Sequence, residues 1–354
     1  MMAGAPDGKT FDARAGPLSR GASILLRGMR LLVTGGAGYI GSIVARQLLG
    51  AGHEVTVFDN LERGHRDAVP EGAKLVVGDL LDRDAVDAVL RDGGFDGAMH
   101  FAALALVSES VSHPERYYRT NVGGTLNLLE AMTGAGVPRL VFSSTCAVYG
   151  EPDVVPIAET AVPRPVNAYG ASKLAVDLMI RDFSTATGLG AVSLRYFNVA
   201  GASGDLGEDH DPETHLIPNI LRAALGAAPA VQIYGTDYPT PDGTAVRDYI
   251  HVEDLATAHM LALGGARAGE HRVFNLGNGN GFSVREVIAA ARAVTGAEIG
   301  TNEAPRRPGD PPMLVASSDR IRSELGWEPR KPELEEMVAD AWAFARANPN
   351  GYSE

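Results

Sequence analysis

The sequence holds a single cysteine, Cys146, among 354 residues. No intrachain disulfide and no Cys-x-x-Cys metal knuckle can be built from it. A chain so poor in thiols suits a reducing, intracellular compartment, so a cytoplasmic location is expected. Basic residues are also in deficit, with 31 Lys plus Arg against 44 Asp plus Glu and a net charge of −13. Without a basic stripe the chain lacks the electrostatic footprint of a nucleic-acid binder. Long apolar runs are missing too, none approaching the roughly 18 residues that span a bilayer, so no membrane partner is expected. What the sequence has in excess is glycine, 42 residues, or about 12% where ~7% is usual. Proline and glycine together stay below the roughly 25% of low-complexity chains, which places the glycines at specific turns.

At ~100–200 residues per domain, the length suits one large domain or two modest ones. Residues 1–28 show no strand or helix period and read as a flexible extension, or as a mis-assigned start with translation beginning at Met29. Their apolar run, Ile24-Leu25-Leu26, is too short for a secretory signal. The stretch AGAPDGKT (3–10) imitates a phosphate-binding loop, but alanine replaces the first glycine and no strand leads into it.

From Arg30 short apolar runs alternate with helical patterns. Strands are predicted at 30–34, 55–59, 74–79, 97–103, 139–144 and 191–198, and helices at 39–50, 82–91, 114–134 and 169–187. Continuous apolar strands separated by helices imply a parallel sheet buried on both faces, a doubly wound α/β domain of Rossmann type over 29–198. Beyond residue 199, loops rich in Gly, Pro and Asp are interleaved with helices predicted near 215–226, 252–265, 283–295 and 333–347. That pattern suggests a smaller C-terminal α/β substrate lobe over 199–354. The boundary is expected to be discontinuous, with strand-like pieces at 247–251 and 272–276 returning to the main sheet.

The first strand runs into Gly35, Gly38 and Gly41, spaced G-x-x-G-x-x-G at the start of a helix. The first glycine permits a tight turn, the second lets a pyrophosphate approach backbone N–H groups at the helix N-terminus, and the third packs helix on strand. The next strand ends in Asp59, 18 residues after Gly41, where a carboxylate accepts hydrogen bonds from a ribose and repels a 2'-phosphate. NAD is therefore expected over NADP. Asp79, ending the third strand, reads either as facing the adenine edge or as a solvated carboxylate.

Tyr169 and Lys173 stand at i and i+4 on a helix and share a face. A tyrosine of ordinary pKa ~10 is a poor base at neutral pH, but a lysine cation and a cationic nicotinamide ring would stabilise its phenolate. Thr145, at a strand end, offers a hydroxyl to the same substrate oxygen.

The motifs LVTGGAGYIGS (32–42), VFDNL (57–61), HFAA (100–103), FSSTCAVYGE (142–151), YGASK (169–173), LRYFNVAGA (194–202), HLIP (215–218) and IYGTDYPTPDGTAVRDYIHVEDLA (233–256) carry a wider likeness. From Met29 onward the chain resembles the extended short-chain dehydrogenase/reductase family, and within it the members that interconvert UDP-galactose and UDP-glucose. The resemblance implies tightly held NAD, a transient 4-keto sugar and no net redox, with Tyr169 handling the proton of the C4 hydroxyl. It also implies that Tyr39, Ile40, Asn60, Leu80, Phe101, Ala102, Ala103, Asn121 and Phe197 line the NAD site. Asn198, His215, Arg247 and Arg307 would lie beside the substrate phosphates, and Leu216, Tyr234 and Asp310 would hold the uridine. Helices 114–134 and 169–187 correspond to those through which relatives dimerise, so a homodimer is implied.

Departures from the family pattern are Ala105, where relatives carry a lysine near the cofactor phosphates, His215 in place of a common asparagine, and Leu314 at a position tied to acceptance of N-acetylated sugars. Dehydratases carry an Asp-Glu pair after the catalytic threonine, and here those positions are Cys146 and Ala147. The remaining alternatives are C4 epimerases of other UDP-sugars and a non-catalytic NAD-sensing protein, the latter disfavoured by intact Thr145, Tyr169 and Lys173. His210 and His215, with Glu208, Asp209 and Asp211, lack regular ligand spacing and read as a solvated acidic loop, so no metal is expected. Cys146 reads as a small buried residue.

Overall fold

The computed structural model describes residues 28–307 and 309–353, and the expectations for residues 1–27 fall outside them. The apolar runs of the first half become β1 (Arg30–Thr34), β2 (Glu54–Asp59), β3 (Lys74–Val77), β4 (Gly97–His100), β5 (Arg139–Thr145) and β6 (Gly190–Tyr196). Between them run α1 (Tyr39–Gly50), α2 (Arg83–Gly93), α3 (Val107–Ser112), α4 (Pro114–Tyr117), α5 (Gly124–Ala135) and α6 (Ala168–Thr187). The helix expected over 114–134 is present, but a wide π turn at Tyr118–Gly123 joins α4 to α5. Such turns concentrate at functional sites.

The second half supplies β7 (Asn198–Ala200), α7 (Leu216–Ala224), β8 (Val231–Tyr234), β9 (Val246–His251), α8 (Val252–Gly265), β10 (His271–Leu276) and β11 (Gly281–Ser283). It continues with α9 (Val284–Thr295), β12 (Thr301–Ala304), β13 (Met313–Leu314), α10 (Asp319–Leu325) and α11 (Leu334–Ala347). The main sheet has the order β10-β6-β5-β4-β1-β2-β3, with every pairing parallel. Its strand order reverses between β1 and β4, where a crevice opens at the carboxyl ends of the strands.

Of the two late segments expected to return to this sheet, only β10 does so, beside β6. The strand β9 instead sits in a second sheet with β7, β11 and β13. Asp248 is the reason: its carboxylate accepts backbone N–H groups of Asn278, Gly279 and Ala316 at 2.7, 3.0 and 3.0 Å. That knot ties β9 to the turn after β10 and to the segment after β13. The following helix, α8, still covers the main sheet, where Val252, Leu255 and Ala256 share one core with Leu31 and Val33. A separate core of Ile217, Ile220, Ile233, Val287, Met337 and Val338 holds α7, α9 and α11 around β8. Among the described residues no helix is long and apolar enough to cross a membrane.

Candidate active site

A continuous cleft of about 1070 Å³ runs from the N-terminus of α1 across the ends of β4 and β5 to Arg307 and Asp310. Every sequence-predicted site residue except Asn121 lines it.

At one end β1 turns through Gly35, whose φ of 73° lies in the left-handed region. A Cβ there would come within 2.4 Å of the Ala102 nitrogen, and one on Gly41 within 2.2 Å of the Gly35 oxygen. Packing within the protein therefore demands both glycines. Gly38 differs, because a Cβ there would meet only the Gly35 oxygen, at an ordinary 3.5 Å. It is the N-cap of α1, whose first turn carries no acidic residue and no side-chain cap. The free N–H groups and the positive end of the helix dipole thus face the cleft, which fits a dinucleotide pyrophosphate. Gly38→Val is expected to weaken NAD binding about tenfold or more, a loss of ~1.4 kcal/mol per factor of ten. The melting temperature of the NAD-free protein should stay at the wild-type value, since the added stabilisation by NAD is what the substitution removes; equilibrium dialysis and a thermal melt check the two halves of this prediction.

Asp59 is buried at the end of β2 and accepts N–H bonds from Ala37 at 3.0 Å and Leu61 at 2.9 Å. Burial raises its pKa, and these two bonds oppose the rise. Leu61 reaches it by adopting a φ of 59°, the one positive value at a non-glycine among the described residues. Each carboxylate oxygen keeps a lone pair for a ribose hydroxyl. Asp79 is held at the rim, accepting from Asn60 Nδ2 at 2.9 Å and Leu81 N at 2.7 Å.

The backbone after β4 is pinned by bonds from Phe101 N and Ala102 N to Thr34 O at 2.9 and 3.1 Å. Asn121 stands buried just behind the residues that line the cleft. Its side chain accepts from Leu104 N at 2.8 Å and donates to Leu104 O at 3.1 Å and Ser172 Oγ at 3.0 Å. Sitting in the π turn, it clamps the wall formed by residues 101–105 to α6, one residue before Lys173.

Two elements, β5 and α6, deliver the three reactive groups. Asn167 caps α6, its Oδ1 accepting from Gly170 N at 2.8 Å. Gly170 lets the helix start hard against the turn after β5, since a Cβ there would lie 2.4 Å from Ala147 O. Tyr169 is thereby carried to Thr145 at the end of β5. Burial pushes its hydroxyl up to about 12, partly offset by a hydrogen bond with Thr145. Lys173 is buried and donates from Nζ to Ser143 O at 2.8 Å. Desolvation lowers it to about 7, with Asp177 opposing. Burial thus works against the lysine cation expected from the sequence, and Asp177 works for it.

Asp177 and Arg195, which sequence reasoning missed, lie behind this pair. Two nitrogens of Arg195 donate to Asp177 Oδ2 at 3.0 and 2.8 Å, and Ser144 Oγ donates to the same oxygen at 3.2 Å. Their signal was present: Arg195 is a charge inside a largely apolar strand that the pattern marks as buried, and such a charge must find a partner.

At the far end Arg247 pairs with Asp310 and donates to Val246 O at 2.7 Å. Arg307 lies over the Tyr234 ring at 4.0 Å. Asn198 opens β7, His215 is the N-cap of α7, and Leu216 is that helix's first residue. Leu314 and Ala105 both line the cleft. Cys146 lines it too, its thiol pushed up to about 12 by burial. Arg63, Glu208 and His210 also line it, and none of them was singled out as a ligand for cofactor or substrate.

A dinucleotide cradle at the switch point of a parallel sheet, with a Tyr/Lys pair beside it, defines a nicotinamide-dependent enzyme of the short-chain class. The sequence profile of the NAD dependent epimerase/dehydratase family matches residues 31–277, and the chain belongs to that family. It is 55% identical over 319 residues to the UDP-glucose 4-epimerase of Corynebacterium glutamicum, covering 90% of this chain and 96% of that one. It is 56% identical over 326 residues to the UDP-glucose 4-epimerase of Streptomyces lividans, covering 92% and 98%. A solved structure of UDP-glucose 4-epimerase from Bifidobacterium longum, in complex with NAD+ and UDP, superposes with a TM-score of 0.87 at 38% identity, covering 91% of this chain and 99% of that one.

Proposed function

We propose that this chain interconverts UDP-galactose and UDP-glucose by inverting C4 of the hexose, with NAD as its resident cofactor and no net redox. The observation that carries the reading is the meeting of Thr145, Tyr169 and Lys173 in the middle of one cleft. One end of that cleft suits a dinucleotide and the other offers Arg247 and Arg307 to a diphosphate. The relatives at 55% and 56% identity, both UDP-glucose 4-epimerases, support it.

When bound, NAD would supply a reversible hydride acceptor and a cationic ring that favours the phenolate of Tyr169. The first turn of α1 would hold its pyrophosphate and Asp59 its adenosine ribose. Tyr169 takes the proton of the C4 hydroxyl and returns it, Thr145 holds that oxygen, and Lys173 tunes the phenol. Arg247 and Arg307, with Asn198, anchor the substrate diphosphate through planar guanidinium forks suited to phosphate oxygens. Firm anchoring at the diphosphate leaves the hexose free to present either face of C4 to one fixed acceptor.

Purified protein given UDP-galactose and no added oxidant or reductant should yield UDP-glucose. NAD-loaded protein that leaves the sugar unchanged would sink the reading. A panel of UDP-N-acetylhexosamines, UDP-uronates and UDP-pentoses then ranks the substrates that Leu314 admits.

The same reading makes the enzyme a cytoplasmic homodimer. Tyr118 in the π turn, Leu126 on α5 and Leu178 on α6 are large apolar side chains left exposed, and they suit a face shared with a second copy. A Leu126→Glu/Leu178→Glu variant is expected to run as a monomer in light scattering while wild type runs as a dimer; equal masses would refute the assignment of that face.

A further inference from the structure

The loop between β7 and α7 carries Glu208, His210, Glu213 and His215, and the fold brings one ligand atom from each within 4.8 Å of the others. His215 Nδ1 lies 2.8 Å from Glu208 Oε1 and 3.2 Å from Glu213 Oε1. His210 Nδ1 lies 3.3 Å from Glu208 Oε1 and 3.8 Å from Glu213 Oε2. Each imidazole thus faces both carboxylates through the same nitrogen. These separations bracket the roughly 3.3–3.4 Å edge of a tetrahedron whose metal bonds are ~2.0–2.1 Å.

The two carboxylates are more withdrawn than the solvated acidic loop expected from the sequence, although His215 is exposed. The Glu208 and Glu213 side chains are only 11% and 4% exposed. Among the described residues their ion-pair partners are the two histidines, with no lysine or arginine on either carboxylate. Two withdrawn negative charges need compensation close by, which protonated histidines or a bound cation can supply. The Nδ1 of His210 is shut off from solvent and makes no hydrogen bond of good geometry.

We propose that Glu208, His210, Glu213 and His215 form a divalent-cation site of zinc type that clasps this loop beside the substrate half of the cleft. Two neutral imidazoles and two carboxylates form a borderline N/O donor set and exactly neutralise one divalent charge. Four protein ligands close a tetrahedral site, so the ion is structural and leaves no open position for substrate. Its effect reaches the pocket through position: Glu208, His210 and His215 line the cleft, and His215 leads directly into Leu216 at the start of α7. Fixing the loop fixes that wall.

The test uses the untagged full-length chain, stripped with chelator, dialysed and titrated with Co²⁺. One cobalt per chain is expected, with the intense visible bands of tetrahedral coordination, displaced by one equivalent of Zn²⁺ and accompanied by a rise in melting temperature. His210→Ala and Glu213→Gln should each weaken binding by about 100-fold or more, since a hydrogen-bond partner of a ligand alone is worth ~10–100-fold. Circular dichroism and NAD binding confirm that these variants fold. Loss of the bands in both, with the fold kept, supports the site. A wild type that binds less than one equivalent or gives only the pale octahedral spectrum overturns it, as do folded variants that bind like wild type. Should the variants fail to fold, the wild-type titration alone decides.

Discussion

Tyr169→Phe should lower turnover roughly 10²–10⁴-fold, the usual share of a positioned proton-transfer group. The substitution removes one oxygen and keeps the ring, so the edge-on contact with Tyr117, centroids 6.5 Å apart, survives. The cofactor cradle at Gly35, Gly38 and Asp59 is untouched, so NAD should stay bound. The loss should therefore appear in kcat and not in cofactor content; single-turnover assays with UDP-galactose, alongside the NAD content of the purified variant, separate the two. A variant turning over at near wild-type rate would remove Tyr169 from the chemistry. Lys173→Met tests the tuning role. The lysine is held at about 7 in the fold against ~10.4 unfolded. Between those values the unfolded chain binds a proton that the folded chain refuses, so this group makes stability rise with pH across the window. Replacing it should flatten that rise in melts recorded from pH 7 to 10.

Asp177→Asn is expected to cost about 3–5 kcal/mol of stability, the penalty for leaving a buried partner uncompensated. Arg195 and Asp177 are 7% and 3% exposed, so water cannot replace the missing charge. The loss propagates, because Arg195 also donates to Tyr149 OH at 3.1 Å, and that hydroxyl donates to Asn275 Oδ1 at 2.7 Å. This chain of bonds ties α6 to β6 and β10 beneath the reactive pair. With Asp177 gone, Lys173 also loses the charge that opposes its desolvation and should fall further below its present value. Urea melts measure the stability loss. The double variant Asp177→Leu/Arg195→Met should recover most of it, since well-packed apolar pairs replace buried ion pairs at little cost. A single variant as stable as wild type would show that the pair contributes nothing.

The cofactor half of the site was legible in the sequence because its determinants are local. Gly35 to Gly41, Asp59 and the Tyr169/Lys173 spacing each act within one turn or one βαβ unit, and the structure brings them to one cleft. The substrate half was legible only through resemblance: Asn198, Leu216, Tyr234, Arg247, Arg307 and Asp310 come from three strands, a helix start and a loop, and no periodicity links them. Asn121 came by the same transfer, and what the structure adds is its clamp between the wall at 101–105 and α6. The strand at 246–251 was misplaced for a related reason, since the backbone bonds to Asp248 that hold it in the second sheet span some 30 to 68 residues. Likewise the cluster at 208–215 has no sequence spacing to announce it, because its ligands meet through the conformation of an irregular loop.

The central claim is that the C4 hydrogen leaves and returns within one closed site while only the hydroxyl proton passes through Tyr169. UDP-galactose bearing deuterium at C4, converted by the purified enzyme in ordinary water, tests it most directly. The deuterium should be found at C4 of the UDP-glucose product, with the configuration inverted. Product carrying solvent hydrogen at C4 would contradict it.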